Sequence, residues 1–301
     1  MDSVLQPLFI VPNEFTNIIL KQPPTLTRCQ DITGLQSELN RIVNSIRNND
    51  GSVQNVTTLR SFMRECVLGS DVEHLWDTNF HDAGEFLTYL LDLFPNTNIA
   101  KRKTVTYGTH DMDSSEDIVD KTLTSTTIDQ RASVVLLLDA FYLSDIGDNG
   151  VTTQTLLEQK DDARLDDPLV MNGTLFYRRI TITTIIESPI IIMNATRNDP
   201  RNPNNVIQTK IEPLEEIFLE NGTKYNLSGI SVFLPGHYVA YYKCNNVWYF
   251  YNDVEQSNKV KKLDGFKNIF DREHEYDPEV MTRGTLYFYT KDLNDADTVR
   301  L

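Results

Sequence analysis

Apolar residues recur at helical spacing through the first third of the chain. The pattern predicts a helix over residues 1–9, at the very start of the sequence, and further helices over residues 33–46 and 56–67. Residues 79–94 carry the strongest helical pattern of this part. Its apolar stripe consists of Ala83, Phe86, Leu87, Leu90, Leu91 and Phe94.

From residue 101 the pattern changes to runs rich in threonine, isoleucine and valine, with period-two or continuous apolar character. Such runs are typical of strands, and the polar stretches between them are typical of loops. A helical lobe followed by a mostly antiparallel sheet is an α+β arrangement. The predicted strands cover 104–107, 133–141, 179–186, 189–193, 225–233 and 285–290, and the predicted loops cover 108–117, 159–167 and 197–205.

Two aromatic runs, residues 236–242 and 248–253, flank Asn245 and Asn246 and predict a β-hairpin. Antiparallel pairing would bring His237, which opens one strand, close to Asn252 and Asp253, which close the other. An amide or carboxylate about 3 Å from an imidazole can orient it for proton transfer. The hairpin therefore predicts two thirds of a Cys/His/Asn or Asp hydrolase site. The alternatives are a structural histidine and an ordinary polar turn.

The net charge of −15 over 301 residues argues against nucleic acid as a partner, because phosphates require a basic surface. It suits a basic peptide or protein partner, although an acidic surface can also serve solubility alone. Asp82 and Glu85 lie one turn apart beside the apolar stripe and could bind a basic peptide tail. Alternatively, they are solvated carboxylates at a helix start, where the helix dipole favours them.

The three cysteines, Cys29, Cys66 and Cys244, form no CxxC motif. Their scatter predicts neither a zinc ribbon nor a disulfide framework, and it favours a reducing compartment. The N-terminus lacks the pattern of a secretory signal, and no apolar run approaches the roughly 18 residues of a membrane span. We therefore expect a cytoplasmic or nuclear protein with no membrane association. No motif for a cofactor or a catalytic metal is present.

Several blocks, in order, resemble the ubiquitin-specific proteases, which are papain-like cysteine deubiquitinases. Residues 1–8 resemble the end of the family's cysteine box, and residues 81–87 its Gln-Asp-Ala-x-Glu-Phe-Leu block with His81 in place of Gln. Residues 225–241 resemble the histidine box. The remaining matching blocks are residues 188–197, the aspartate/asparagine block at 248–253 and the closing strand at 285–289.

The resemblance implies one papain-like catalytic domain over residues 1–301. It would comprise a helical thumb at 1–100, an antiparallel palm with β fingers at 101–290, and a frayed tail at 291–301. The partner would be ubiquitin or a ubiquitin-like protein, whose C-terminal tail passes between thumb and palm. The family's finger zinc site needs paired CxxC motifs, so neither zinc nor another cofactor is expected here.

The resemblance also assigns roles to residues of the hairpin. His237 would be the general base, Asn252 its orienting partner, and Asp253 a second polar group near the oxyanion. Asp82, Glu85, Gly236 and Tyr238 would contact the ubiquitin tail, with the two carboxylates matching its basic residues.

The family's nucleophilic cysteine would fall two positions before Met1, and none of the three cysteines can take its place by a shift of register. Three readings stay open. The domain is a thiol-dependent deubiquitinase whose cysteine lies upstream of Met1, a catalytically inactive module that binds ubiquitin or a relative, or a scaffold in which the hairpin is only core.

Overall fold

The computed structural model describes most of the chain, with gaps between the described segments. These segments are residues 2–11, 13–21, 31–48, 56–67, 82–94, 98–109, 122–199, 202–234, 236–252, 260–270 and 280–291.

Helices dominate the N-terminal part of the described chain and recur twice later. In the first helix, the side chains of Val4, Leu5, Leu8 and Phe9 are each at most 1% exposed. Their helical spacing places them on one face, and this face is the buried one. The helices are α1 (Asp2–Phe9), α2 (Glu14–Lys21), α3 (Ile32–Asn48), α4 (Thr57–Val67), α5 (Ala83–Asp92), α6 (Ala140–Ile146) and α7 (Val280–Arg283).

The strands begin six residues after α5 ends. They are β1 (Asn98–Gly108), β2 (Thr122–Ser133), β3 (Val135–Leu138), β4 (Val151–Thr152), β5 (Glu158–Met171), β6 (Thr174–Glu187), β7 (Ile190–Ala195), β8 (Asn198–Asp199), β9 (Asn202–Val206), β10 (Ile211–Glu212), β11 (Glu216–Phe218), β12 (Lys224–Leu234), β13 (His237–Cys244), β14 (Val247–Tyr251), β15 (Val260–Lys262) and β16 (Gly284–Lys291).

Most of these strands belong to two large sheets. The palm sheet has the order β15-β14-β13-β12-β16-β7-β3, with β11 paired to β12, and only its β3–β7 pair is parallel. The finger sheet has the order β2-β1-β6-β5 and is antiparallel throughout. Buried side chains of α1, α3, α5 and the palm sheet form one continuous hydrophobic core.

Helix α1 lies directly against the centre of the palm sheet, in contact with β12 and β13. A Cβ added at Gly229 of β12 would come within 2.3 Å of the Cβ of Pro7 and 2.9 Å of the carbonyl oxygen of Tyr241. Gly229 therefore allows a close approach of helix to strand that a larger residue would prevent.

Helix α5 begins four residues later than the apolar pattern predicted. Asp82 is extended (φ −64°, ψ 131°) and serves as the N-cap, because its side chain accepts from the backbone N–H groups of Gly84 and Glu85. Gly84 rests on the palm sheet, where an added Cβ would lie 2.3 Å from the side-chain nitrogen of Asn194 on β7. The first turn of α5 is thus seated on the sheet.

Other sequence predictions were wrong in the finger region. Residues 159–167, predicted as a loop, belong to β5, and the polar strand β2 was not predicted. Both are edge strands of a sheet with little buried surface, so their side chains need not alternate between apolar and polar. The strand predicted over 133–141 ends at Leu138, because Asp139 caps α6 by accepting from the backbone N–H of Tyr142.

Arg197 follows β7 and is only 3% exposed. Its guanidinium donates to four backbone carbonyl oxygens, which ties β7 to the segment before β10 and to α7. The acceptors are those of Gly284 (3.1 Å), Ile207 (3.3 Å), Thr209 (2.5 Å) and Met281 (3.2 Å).

The cysteines differ from the sequence expectation in one respect. Cys244 is free, but Cys66 at the end of α4 is disulfide-bonded to a partner outside the described residues. The scattered cysteines predicted no disulfide framework, and the disulfide at Cys66 is a feature that the sequence pattern did not indicate.

Candidate active site at the thumb and palm junction

The β13–β14 hairpin brings His237 and Asn252 together. The two strands pair in the register Ala240 to Tyr251, so the start of β13 lies beside the residue that follows β14. The imidazole Nε2 lies 2.7 Å from the side-chain oxygen of Asn252. Asn252 is 3% exposed, whereas His237 is half-buried. The predicted hairpin is confirmed, and the two polar side chains meet as expected.

The direction of this hydrogen bond determines the protonation pattern of the ring. An amide oxygen only accepts, so Nε2 of His237 carries the hydrogen and donates it to Asn252. In a neutral imidazole the lone pair then resides on Nδ1. Nδ1 is thereby the atom of the ring that can accept a proton.

Gly236 directly precedes this histidine and has a φ of +75°, a left-handed conformation that side-chain-bearing residues rarely adopt. A Cβ built there would meet nothing within 4 Å, so the backbone before His237 borders open space. Asp253, the other predicted polar partner, lies outside the described residues.

Tyr238 points towards the helical lobe. Its hydroxyl donates to Oδ2 of Asp82 over 3.1 Å, and its ring lies 5.4 Å from that of Phe233 on the neighbouring strand. Burial raises the pKa of Tyr238 well above its usual range, and the negative charge of Asp82 raises it further. The tyrosine therefore stays protonated and can keep donating.

Glu85 occupies the first turn of α5 but is exposed. Among the described residues its carboxylate has no hydrogen bond or ion pair. Of the four residues predicted to contact the ubiquitin tail, Asp82 and Tyr238 are in mutual contact, Gly236 adjoins His237, and Glu85 stands in solvent.

Neither described cysteine can serve this histidine as a nucleophile. Cys244 closes β13 seven residue steps from His237, which corresponds to roughly 23 Å of strand. Cys66 is buried and disulfide-bonded. Cys29 lies outside the described residues.

The sequence did not reveal the contact between Tyr238 and Asp82. A signal for it existed, because successive strand residues face opposite sides of a sheet, so Tyr238 must point away from the side that His237 faces. What the sequence lacked was the position of α5 on the palm sheet.

Within the described ranges, His, Cys, Asp and Glu side chains form no group of three that could hold a metal ion. No helix in those ranges is long and apolar enough to cross a membrane.

A helical lobe against a mostly antiparallel palm, with a His–Asn pair at the ends of neighbouring strands, defines a papain-like cysteine protease fold. The family model for ubiquitin carboxyl-terminal hydrolase matches residues 1–289, so the chain belongs to that family. The predicted α+β fold and the predicted family are both confirmed.

Solved structures share this fold at low sequence identity. A chain from the SAGA DUB module Ubp8/Sgf11/Sus1/Sgf73 bound to monoubiquitin, with a cysteine-to-alanine substitution in Ubp8, superposes with a TM-score of 0.60 and 16% identity. The match covers 98% of this chain and 67% of that one. The same module bound to ubiquitin aldehyde gives a TM-score of 0.59 at 15% identity, and the match covers 98% of this chain and 68% of that one.

A yeast SAGA DUB module with an Sgf73 mutant gives a TM-score of 0.58 at 14% identity, covering 98% of this chain and 66% of that one. No curated protein matches the chain in sequence.

Proposed function

We propose that this domain binds the C-terminal tail of ubiquitin, or of a ubiquitin-like protein, between the helical lobe and the palm. The observation that carries the proposal is the 2.7 Å contact between His237 and Asn252, at the palm end where α5 is also seated. The ubiquitin bound in two of the structurally similar complexes supports the partner.

We propose further that His237 acts as a general base when a thiol is supplied from residues upstream of Met1. In that reaction Nδ1 of His237 takes the thiol proton, and the thiolate sulfur bonds to the carbonyl carbon of ubiquitin's terminal residue. The imidazolium returns the proton to the leaving amine as the carbon–nitrogen bond breaks. Water then hydrolyses the thioester and releases the ubiquitin carboxylate and the thiol.

Asn252 would hold the ring in the tautomer that leaves the lone pair on Nδ1. Because its amide is neutral, it would do so without placing a charge beside the ring. Asp253 stays a predicted helper near the oxyanion. The alternative function is that of a pseudoprotease that binds ubiquitin without cleaving it. It is supported by the positions of the two described cysteines, because neither Cys66 nor Cys244 can serve His237 as a nucleophile.

Ubiquitin probes carrying a C-terminal electrophile separate the two functions. This chain should not be labelled, whereas a polypeptide extended upstream by a cysteine-containing segment should be. The in-frame coding sequence before Met1 provides an independent check, because a stop codon directly before it would exclude the enzyme.

Binding of unmodified ubiquitin to this chain tests the partner itself. We expect Glu85→Lys to weaken binding, since the reversed charge would repel basic residues of the tail. Asp145→Lys, at an exposed position on α6, is the matched control and should bind as the wild type does. If the wild-type chain binds neither ubiquitin nor a ubiquitin-like protein, the proposed partner is wrong.

A cytoplasmic or nuclear location and the absence of nucleic-acid and membrane partners stay predictions. The disulfide at Cys66 bears on the location, because disulfides rarely persist in reducing compartments. Thiol titration of the protein isolated from its own cells, under conditions that trap free thiols, would show whether Cys66 is reduced there.

A further inference from the structure

Strand β2 forms one edge of the finger sheet, and no other described element pairs with its outer side. Each of residues 122–130 is exposed. Residues 122–129 pair with β1 without a break in register. A regular edge strand carries a row of backbone N–H and C=O groups that point away from the sheet, and such a row can pair with another strand.

The opposite edge of the same sheet is protected against such pairing. Strand β5 has a break in register between Arg164 and Leu169, and Pro168, which has no backbone N–H, lies within this break. Five acidic and two basic residues lie along the same strand. Breaks in register, proline and charge are means by which edge strands avoid association. Residues 122–129 of β2 contain no proline and a single charged residue, so this edge is open where that of β5 is closed.

Threonine pairs cross the sheet from β1 to β2 and end at the open edge. The hydroxyl oxygens of Thr104 and Thr126 lie 3.3 Å apart, and those of Thr106 and Thr124 lie 3.2 Å apart. A hydroxyl has one donor and two acceptor sites, so each hydroxyl on β2 can also bond to a strand added beyond it. The strand that fits best would present hydroxyl groups opposite Thr124 and Thr126.

A second copy of β2 presents these groups when it pairs antiparallel across a twofold axis at Ser125. Directly opposite residues lie on the same face of a sheet, so only positions an even number of residues apart can pair in this way. With Ser125 opposite its own counterpart, Thr124 of each copy lies opposite Thr126 of the other, and both threonine rows continue across the axis. An axis at Thr126 would place Thr124 opposite Ile128, and an axis at Thr124 would pair only residues 122–126.

The local charge allows this contact, although the whole chain carries a net charge of −15. Strands β1 and β2 together contain four basic residues and one acidic residue. With the axis at Ser125, residues 122–128 of the two copies face each other, and none of these residues is charged. The acidic strand β5 lies at the far edge of the sheet. Two copies therefore meet without bringing their acidic surfaces together.

We propose that β2 is the interface through which two copies of this chain associate, by antiparallel pairing of residues 122–128 about a twofold axis at Ser125. The contact is isologous, since each copy supplies the same strand. One short strand buries less surface than a stable dimer requires, so the association is weak and depends on concentration. The inference does not rest on ubiquitin binding and is tested on the free chain.

Sedimentation velocity over a range of protein concentrations tests the association. The wild type should pass from monomer to dimer as the concentration rises. Ser125→Lys places two ammonium groups opposite each other at the axis, and we expect the dissociation constant to rise about tenfold or more. Ser61→Lys, the same change at an exposed position on α4, is the matched control and should associate as the wild type does.

A charge-swapped mixture tests whether the two copies meet at Ser125. Ser125→Asp alone should also weaken association, because its two carboxylates repel each other. An equal mixture of Ser125→Lys and Ser125→Asp chains should associate again, since each ammonium group then faces a carboxylate. A wild type that stays monomeric at every concentration, or a mixture that associates no better than the separate variants, would overturn the proposal.

Cysteine cross-linking tests the register of the pairing. Directly opposite residues bring their Cβ atoms to about 5 Å, so Ser125→Cys should form a disulfide-linked dimer under mild oxidation. Thr127→Cys is the matched control on the same face of β2, because its two copies would lie four residues apart along the strand, roughly 13 Å, which is too far for a disulfide. Cross-linking of Thr127→Cys as fast as that of Ser125→Cys would overturn the pairing about Ser125.

Discussion

His237 donates through Nε2 to the side-chain oxygen of Asn252, 2.7 Å away, across the end of the β13–β14 hairpin. Because Asn252 is almost fully buried, its amide is held in place while the imidazole stays half-exposed. The pair therefore combines a buried amide, held in a fixed position, with an imidazole ring that is partly accessible to solvent.

The first prediction concerns the tautomer of His237. At pH 8.5, where an ordinary imidazole is neutral, nitrogen NMR should show the wild-type ring with its hydrogen on Nε2. Asn252→Ala removes the acceptor, and the ring should then populate both tautomers. The other four histidines of the chain serve as internal references. If the tautomer of the His237 ring is the same in Asn252→Ala as in the wild type, Asn252 does not orient the ring.

The second prediction concerns the contact between α1 and the palm. Gly229→Ala places a methyl group against Pro7 and against the backbone of Tyr241, neither of which can move cheaply. We expect the free energy of unfolding in urea to fall by about 1 to 3 kcal/mol, the usual range for overpacking.

Gly265→Ala is the matched control, because its backbone is extended and the nearest atom to an added Cβ is 3.8 Å away. Its stability should stay close to that of the wild type. Equal stability of the two variants would contradict the close approach of α1 to β12.

The third prediction concerns the buried guanidinium of Arg197. Arg197→Met leaves four backbone carbonyl oxygens without this donor, and we expect a loss of about 3 kcal/mol or more of unfolding free energy. Arg41→Met, which removes an exposed ion pair with Glu38, should cost less than about 1 kcal/mol. A similar small loss for both variants would argue against a structural role of Arg197.

The fourth prediction concerns acid stability of the fingers. The guanidinium of Arg178, which forms two hydrogen bonds with Asp162, lowers the pKa of that carboxyl below its ordinary 3.8. A carboxyl with a lowered pKa in the folded state stabilises the protein above the unfolded pKa. That contribution is lost as the pH falls below about 4 towards the folded pKa.

Asp162→Asn should therefore cost up to about 1 kcal/mol at pH 7 and progressively less below pH 4. Urea unfolding of both proteins at pH 7 and pH 3 measures this difference. A difference that persists undiminished at pH 3 would show that the charge of Asp162 is not its cause.

The sequence by itself determined the elements in which one face is buried. In α1, α3, α5 and the strands of the hairpin, apolar residues recur with the period of the helix or strand. This recurrence follows from burial of one face of each element. The meeting of His237 with Asn252 followed from local pairing alone, since the two strands are joined by a two-residue turn.

Only the tertiary structure decided the features that depend on partners distant in sequence. Strands β2 and β5 lie at the edges of a sheet with little buried surface, so no apolar alternation marks them. The surroundings of Asp82 and Glu85 differ for a similar reason. Their spacing on the chain is that of two equivalent carboxylates, and only the docking of α5 on the palm gives one of them Tyr238 as a partner and leaves the other in solvent.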